Sequence, residues 1–161
     1  MLDNVRIDNA QNDLRKITKK LRKSGDARVI RKRLLAGLKD GVQPAVAKSK
    51  AAALALPAKP GGKSTGLRKK LAKVIGPQVR TSGRDPGVRV RISRSRMGEQ
   101  AALAKVTNIG RWRHPVHGDR KVWVTQTSKA HWFDDANRYS GPPVRRALGK
   151  VLTDIERELG K

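Results

Sequence analysis

Between Gly110 and Phe133 the chain gathers nearly all of its large aromatic and imidazole side chains. The stretch GRWRHPVHGDRKVWVTQTSKAHWF holds Trp112, Trp123 and Trp132, His114, His117 and His131, and the single phenylalanine. Elsewhere there is one tyrosine, Tyr139. Aromatic rings carry the most buriable area per residue, so this stretch either anchors the core or forms a contact surface. With 37% hydrophobic and 3% aromatic residues in the whole chain, the rest of the core must be small and aliphatic. The alternation in Trp112–Val116 and Lys121–Thr127 predicts a hairpin turning through His117-Gly118-Asp119-Arg120. Trp123 is expected to anchor that sheet. Trp112 and Trp132, beside polar residues, are expected nearer the surface, where interfaces favour such rings.

A length of 161 residues suits one domain with an extension. The expected division is a basic N-terminal helical extension over 1–25 and a single α+β domain over 26–161. A formal net charge of +25 opposes compaction and attracts polyanions or acidic partners. Without cysteine, disulfides, thiolate chemistry and zinc ribbons are excluded. The apolar run 45–56 contains two lysines and is too short to span a bilayer, and MLDNVRIDNAQ lacks the apolar segment of a signal peptide. A protein made and used in the cytoplasm, or in something assembled there, without membrane, is the expectation.

Along the chain, Val5–Asp8 is a short candidate strand, and Leu14, Ile17 and Leu21 recur at helical spacing within 9–23. Ile30, Leu34, Leu38, Val42, Ala45, Ala52 and Leu56 trace one stripe of a long helix from about Ala27 to Leu56. Gly37, Gly41 and Pro44 interrupt it, so a kink or two abutting helices is expected. Pro57–Gly66 reads as a loop. Its Gly62-Lys63-Ser64 is not a phosphate-binding P-loop: Pro57 stands where the first glycine belongs, and no strand precedes it. Leu67–Ile75 is a short amphipathic helix. Gln78–Thr81 and Gly87–Ser93 form a hairpin with Val88, Val90 and Ile92 inward and Arg89 and Arg91 outward. A helical turn is expected in Met97–Val106. Val144, Leu148, Val151, Leu152, Ile155 and Leu159 mark a closing helix that starts at Pro142 or Pro143. Glu156 and Glu158 lie unfavourably near its end. The class is α+β: a small antiparallel sheet of two hairpins flanked by the long helix, kinked or split, and the C-terminal amphipathic helix.

Candidate chemistry is sparse. His114, His117 and His131 with Asp119, Asp134 and Asp135 are the one cluster with metal or general-base potential, but H-x-x-H with Pro115 between cannot lie on a helix. No zincin or nuclease spacing follows either. No catalytic, metal or cofactor site is assigned, and surface loop histidines are the simpler reading. The basic runs favour sequence-independent phosphate contact. The DNA-facing candidates are Lys16, Lys19, Lys20, Arg22, Lys23, Arg31, Lys32, Arg33, Arg68, Lys69, Lys70, Arg89 and Arg91. No recognition helix or RNA-binding signature points to base readout.

The series G-R-W-R-H-P-V-x-G-x-R-x-V-W-V-x-Q from Gly110 to Gln126, followed by Trp132-Phe133, resembles the tail-completion or head-to-tail connector proteins of long-tailed phages. The actinobacteriophage or prophage type is the nearest likeness. A-L-x-L-P-x-K (Ala53–Lys59), G-L-R-x-x-[LI]-A (Gly66–Ala72) and V-R-T-S-G-x-x-x-G-V-R-V-R-[IV] (Val79–Ile92) agree with it in order. The stretch Met97–Ile109 and the break at Ser140-Gly141-Pro142-Pro143 are less typical. The resemblance implies a non-enzymatic virion subunit of the neck, assembled in the host cytoplasm. Copies would form a ring, of six, between the stopper or adaptor and the tail terminator or tail tube, with genome DNA passing through non-specifically. It also implies that Trp112, Arg113, His114, Pro115, Val116, Trp132 and Phe133 meet neighbouring subunits. A tail terminator is the nearest alternative. A nucleoid-like or ribosomal nucleic-acid-binding protein, and a nuclease using His114, His117 and Asp119, are alternatives of other classes.

Overall fold

The computed structural model describes residues 19, 27–57, 66–80, 87–116 and 119–159. Their elements in chain order are α1 (Ala27–Leu54), α2 (Leu67–Val74), β1 (Ile75–Arg80), β2 (Gly87–Ile92), a 3-10 segment (Ser95–Gln100), α3 (Ala101–Ile109), β3 (Arg111–Val116), β4 (Asp119–Thr127), α4 (Trp132–Asn137) and α5 (Gly141–Leu159). Helix and sheet are mixed as expected, but β1–β2 and β3–β4 form separate antiparallel two-stranded sheets. The candidate strand 5–8 and, Lys19 apart, the basic extension 1–25 lie outside the described residues, as does the loop over 58–65.

By its contacts the chain divides into two compact units. Among the described residues, one holds 48–57, 66–76, 92–116 and 119–136; the other holds residue 19, 27–47, 77–80, 87–91 and 137–159.

In the second unit, α1 buries Ile30, Leu34, Leu38, Val42, Ala45 and Val46, and α5 buries Val144, Leu152 and Ile155. Steps of three and four residues keep each set on one helix face. α1 runs through Pro44 without dividing. Pro44 and Asp40 are both exposed, so water can take up the Asp40 carbonyl that a proline cannot bond. The glycines that interrupt the apolar pattern are where α5 comes close. A Cβ on Gly37 would lie 2.6 Å from a Val151 methyl, and one on Gly41 would lie 2.8 Å from the Ala147 Cβ. Gly37/Gly41 and Ala147/Val151 are each four apart, so one turn of small residues faces the same interval on the other helix. Near the end of α5, Glu158 pairs with Arg33 at 2.6 Å, which gives that ill-placed carboxylate a partner. On β2, Val88 and Val90 are buried while Arg89 is half-buried and Arg91 exposed.

In the first unit, Ala53 and Leu56, Leu71, Ala72 and Val74 of α2, Ile75, Ile92, Met97, Ala104, Trp132 and Phe133 are buried. The Arg68 guanidinium donates to the Leu56 carbonyl at 3.1 Å, and Ser93 N–H donates to the Val74 carbonyl at 3.0 Å. The 95–100 turns are joined at Gly98, whose φ of 59° suits glycine. The turn expected in Met97–Val106 is thus this 3-10 segment together with α3.

α3 ends at Gly110, φ 95°, and the chain reverses into β3. A Cβ on Gly110 would lie 2.7 Å from the Ala130 Cβ and 2.8 Å from its Cα. Here glycine is required twice over, by conformation and by space. From this corner β3 and β4 pair in the register Arg111↔Thr127, Trp112↔Gln126, Arg113↔Thr125, His114↔Val124 and Pro115↔Trp123. The register then shifts to Val116↔Asp119.

Candidate functional site

The β3–β4 ribbon carries most of the residues that the sequence marks, and opposed residues of an antiparallel pair share a face. One face therefore holds Arg111, Arg113 and Pro115 opposite Thr127, Thr125 and Trp123; the other holds Trp112 and His114 opposite Gln126 and Val124. All nine residues of β4 are exposed. Val122 is 52%, Trp123 47% and Val124 41% accessible. Trp112, His114 and Pro115 are half-buried, and Arg113 is exposed.

Trp123 therefore does not anchor the sheet. Every residue of β4 is exposed, so the strand has no buried position for the ring to fill. Its ring is instead held from the edge: the indole Nε1–H donates to the Arg120 carbonyl at 2.7 Å. The Arg113 guanidinium lies 5.8 Å from the ring centroid, within cation–π range. Asp119, the one acid of the ribbon, accepts the Lys121 N–H at 2.9 Å at the start of β4.

Trp132 and Phe133 are corrected in the opposite sense. Expected at a subunit contact, they are 2% and 4% exposed. They open α4, a helix that the sequence pattern does not announce, and their rings meet edge to face at 5.6 Å. Asn108, 24 residues earlier, holds the start of that helix. Its carbonyl oxygen Oδ1 accepts the Phe133 N–H at 2.9 Å, its Nδ2 donates to Asp134 at 2.7 Å, and its backbone carbonyl accepts the His131 N–H at 2.7 Å. This is an N-cap supplied from another helix.

Of the histidine cluster, His114 and His131 take up separate local contacts. His114 Nδ1 lies 3.0 Å from the Pro115 carbonyl, His131 is beside Asp134 at 3.5 Å, and Asp135 pairs with Lys129 at 3.7 Å. His117 lies outside the described residues. Among the described residues no group of three or more His, Cys, Asp or Glu is placed to hold a metal ion, and no helix is long and apolar enough to cross a membrane.

The basic candidates fall in both units and in the undescribed N-terminal stretch. Lys16, Lys20, Arg22 and Lys23 lie outside the described residues, while Lys19, Arg31, Lys32, Arg33, Lys69, Lys70 and Arg91 are exposed. Arg31, Lys32 and Arg33 follow one another at about 100° around α1 and so do not share a face. Arg68 is half-buried against Leu56, and Arg33 is engaged with Glu158. The face of Arg111, Arg113 and Trp123 is absent from the sequence-based candidates for DNA contact. Its signal is present in the sequence, two arginines at period two before a W-V pair, but the register that brings them together is not.

Compared with protein-family models, curated proteins and solved structures, the chain finds no match in any of the three.

Proposed function

We propose that this chain is a structural subunit of the neck of a long-tailed phage, a tail-completion or head-to-tail connector protein. Its copies form a ring, of six, between the stopper or adaptor and the tail, around the duct through which the genome passes. The observation that carries the reading is the exposed strand β4. β4 exposes Val122 and Val124 on one face and Trp123 on the other, in a chain whose apolar residues are few. Exposed apolar area of this kind marks an interaction site. The face with Trp112, His114 and Val124 has the mixed aromatic and apolar character of a subunit contact. A net charge of +25 suits a subunit beside a sliding polyanion, since phosphate attraction carries no sequence preference. The motif series from Gly110 to Phe133 supplies the family likeness.

The test is genetic and structural together. Deleting the gene from its phage or prophage leaves DNA-filled heads and separate tails of normal length, and adding the purified protein joins them. Tails of uncontrolled length would indicate a terminator instead. Infectious particles of normal form would remove the reading.

A further inference from the structure

The ribbon's second face is chemically unlike the first. By register it carries Arg111, Arg113 and Pro115 opposite Thr127, Thr125 and Trp123, with no acid among them. Arg120 and Lys121, both exposed, follow at the distal end. Residues two apart on a strand stand roughly 6.6 Å apart, so Arg111 and Arg113 present a short row of exposed cations. Beside them the Trp123 ring is half-exposed yet pinned, by its bond to the Arg120 carbonyl and by the guanidinium of Arg113. An exposed ring held in one orientation before binding loses little freedom when it stacks.

A second copy of this chain would bring like charges together on this face. The complementary occupant is a polyanion with flat π-faces. We infer that the Arg111–Arg113–Trp123 face binds a single strand of nucleic acid, the guanidinium groups meeting phosphates and the Trp123 ring stacking on an unstacked base. Cation rows beside aromatic platforms are the common chemistry of sequence-tolerant strand binding. Duplex DNA meets the same cations but offers the ring no free base. This names a surface and a ligand that the neck reading does not specify, and it stands or falls independently of where the subunit sits in a particle.

Fluorescence anisotropy of the full chain with a labelled 20-nucleotide single strand of mixed sequence, and with its duplex, decides the matter. Trp123→Ala should weaken single-strand binding by about 5- to 150-fold and duplex binding by less than about 2-fold, with the salt dependence unchanged. Arg111→Ser with Arg113→Ser should weaken both and flatten the salt slope. For each phosphate no longer neutralised, the slope should fall by about 0.9 on duplex and about 0.7 on single strand. Arg145→Ser with Arg146→Ser, an equal charge loss on exposed positions of α5, should do much less. Circular dichroism confirms that each variant is folded. The inference is overturned if Trp123→Ala leaves single-strand binding unchanged, or if the two arginine pairs have equal effects. Failure of the intact chain to bind any strand at low salt would overturn it too, and would leave the face to an acidic protein.

Discussion

The side-chain carbonyl of Asn108 accepts the backbone N–H of Phe133 at 2.9 Å, while the amide of the same side chain donates to Asp134. Asn108 is only 6% exposed, and losing it removes one hydrogen bond from the Phe133 N–H and one from the Asp134 carboxylate together. Asn108→Ala should cost about 2–4 kcal/mol, read from urea midpoints at unchanged slope. Asn108→Asp should be no better, because it replaces a donor to Asp134 with a second acid. A loss under about 0.5 kcal/mol for the alanine variant would mean that α4 does not depend on this clamp.

Gly110→Ala should be the most damaging small substitution in the first unit. It combines a positive φ with a Cβ less than 3 Å from the Ala130 backbone. The expected loss is about 3 kcal/mol, with faster amide exchange along β3 and β4, whose base this corner sets.

Along α1, Gly41→Ala raises helix propensity by about 1 kcal/mol but drives a methyl against Ala147. Overpacking of that kind costs about 1–3 kcal/mol, so the net change should be a loss. Combining it with Ala147→Gly should reveal a coupling of about 1–2 kcal/mol in a double-mutant cycle. Additive effects would show that α1 and α5 do not meet at this point.

The tryptophans should separate in fluorescence. Acrylamide quenches exposed indoles, so Trp123→Phe should remove the most quenchable emission, whereas Trp132→Phe should remove a protected component. Trp132→Ala should also destabilise by about 3–5 kcal/mol. Equal quenching of Trp123 and Trp132 would contradict their placement.

What the sequence made legible was local. The stripes of α1 and α5 and the alternation Val88, Val90, Ile92 follow from helical and strand periods, and these set the α+β class. What it hid was decided by residues far away in the chain. Trp132 looks peripheral because its neighbours are polar, yet Asn108 draws the start of its helix into the interior. Trp123 looks internal because it alternates with valines, yet every residue of its strand is exposed. Gly37 and Gly41 look like breaks until Ala147 and Val151, more than 100 positions on, come to lie against them. His114 and His131 illustrate the reverse case, neighbours in sequence that take up separate local contacts.

The central claim, a subunit joining tail to head, is tested most directly by cryo-electron microscopy of the assembled particle. The account predicts a ring of copies of this chain between portal and tail tube, with the β3–β4 ribbons engaged with neighbouring subunits or the DNA duct. Neck density fully occupied by other chains, with none left for this one, would contradict it.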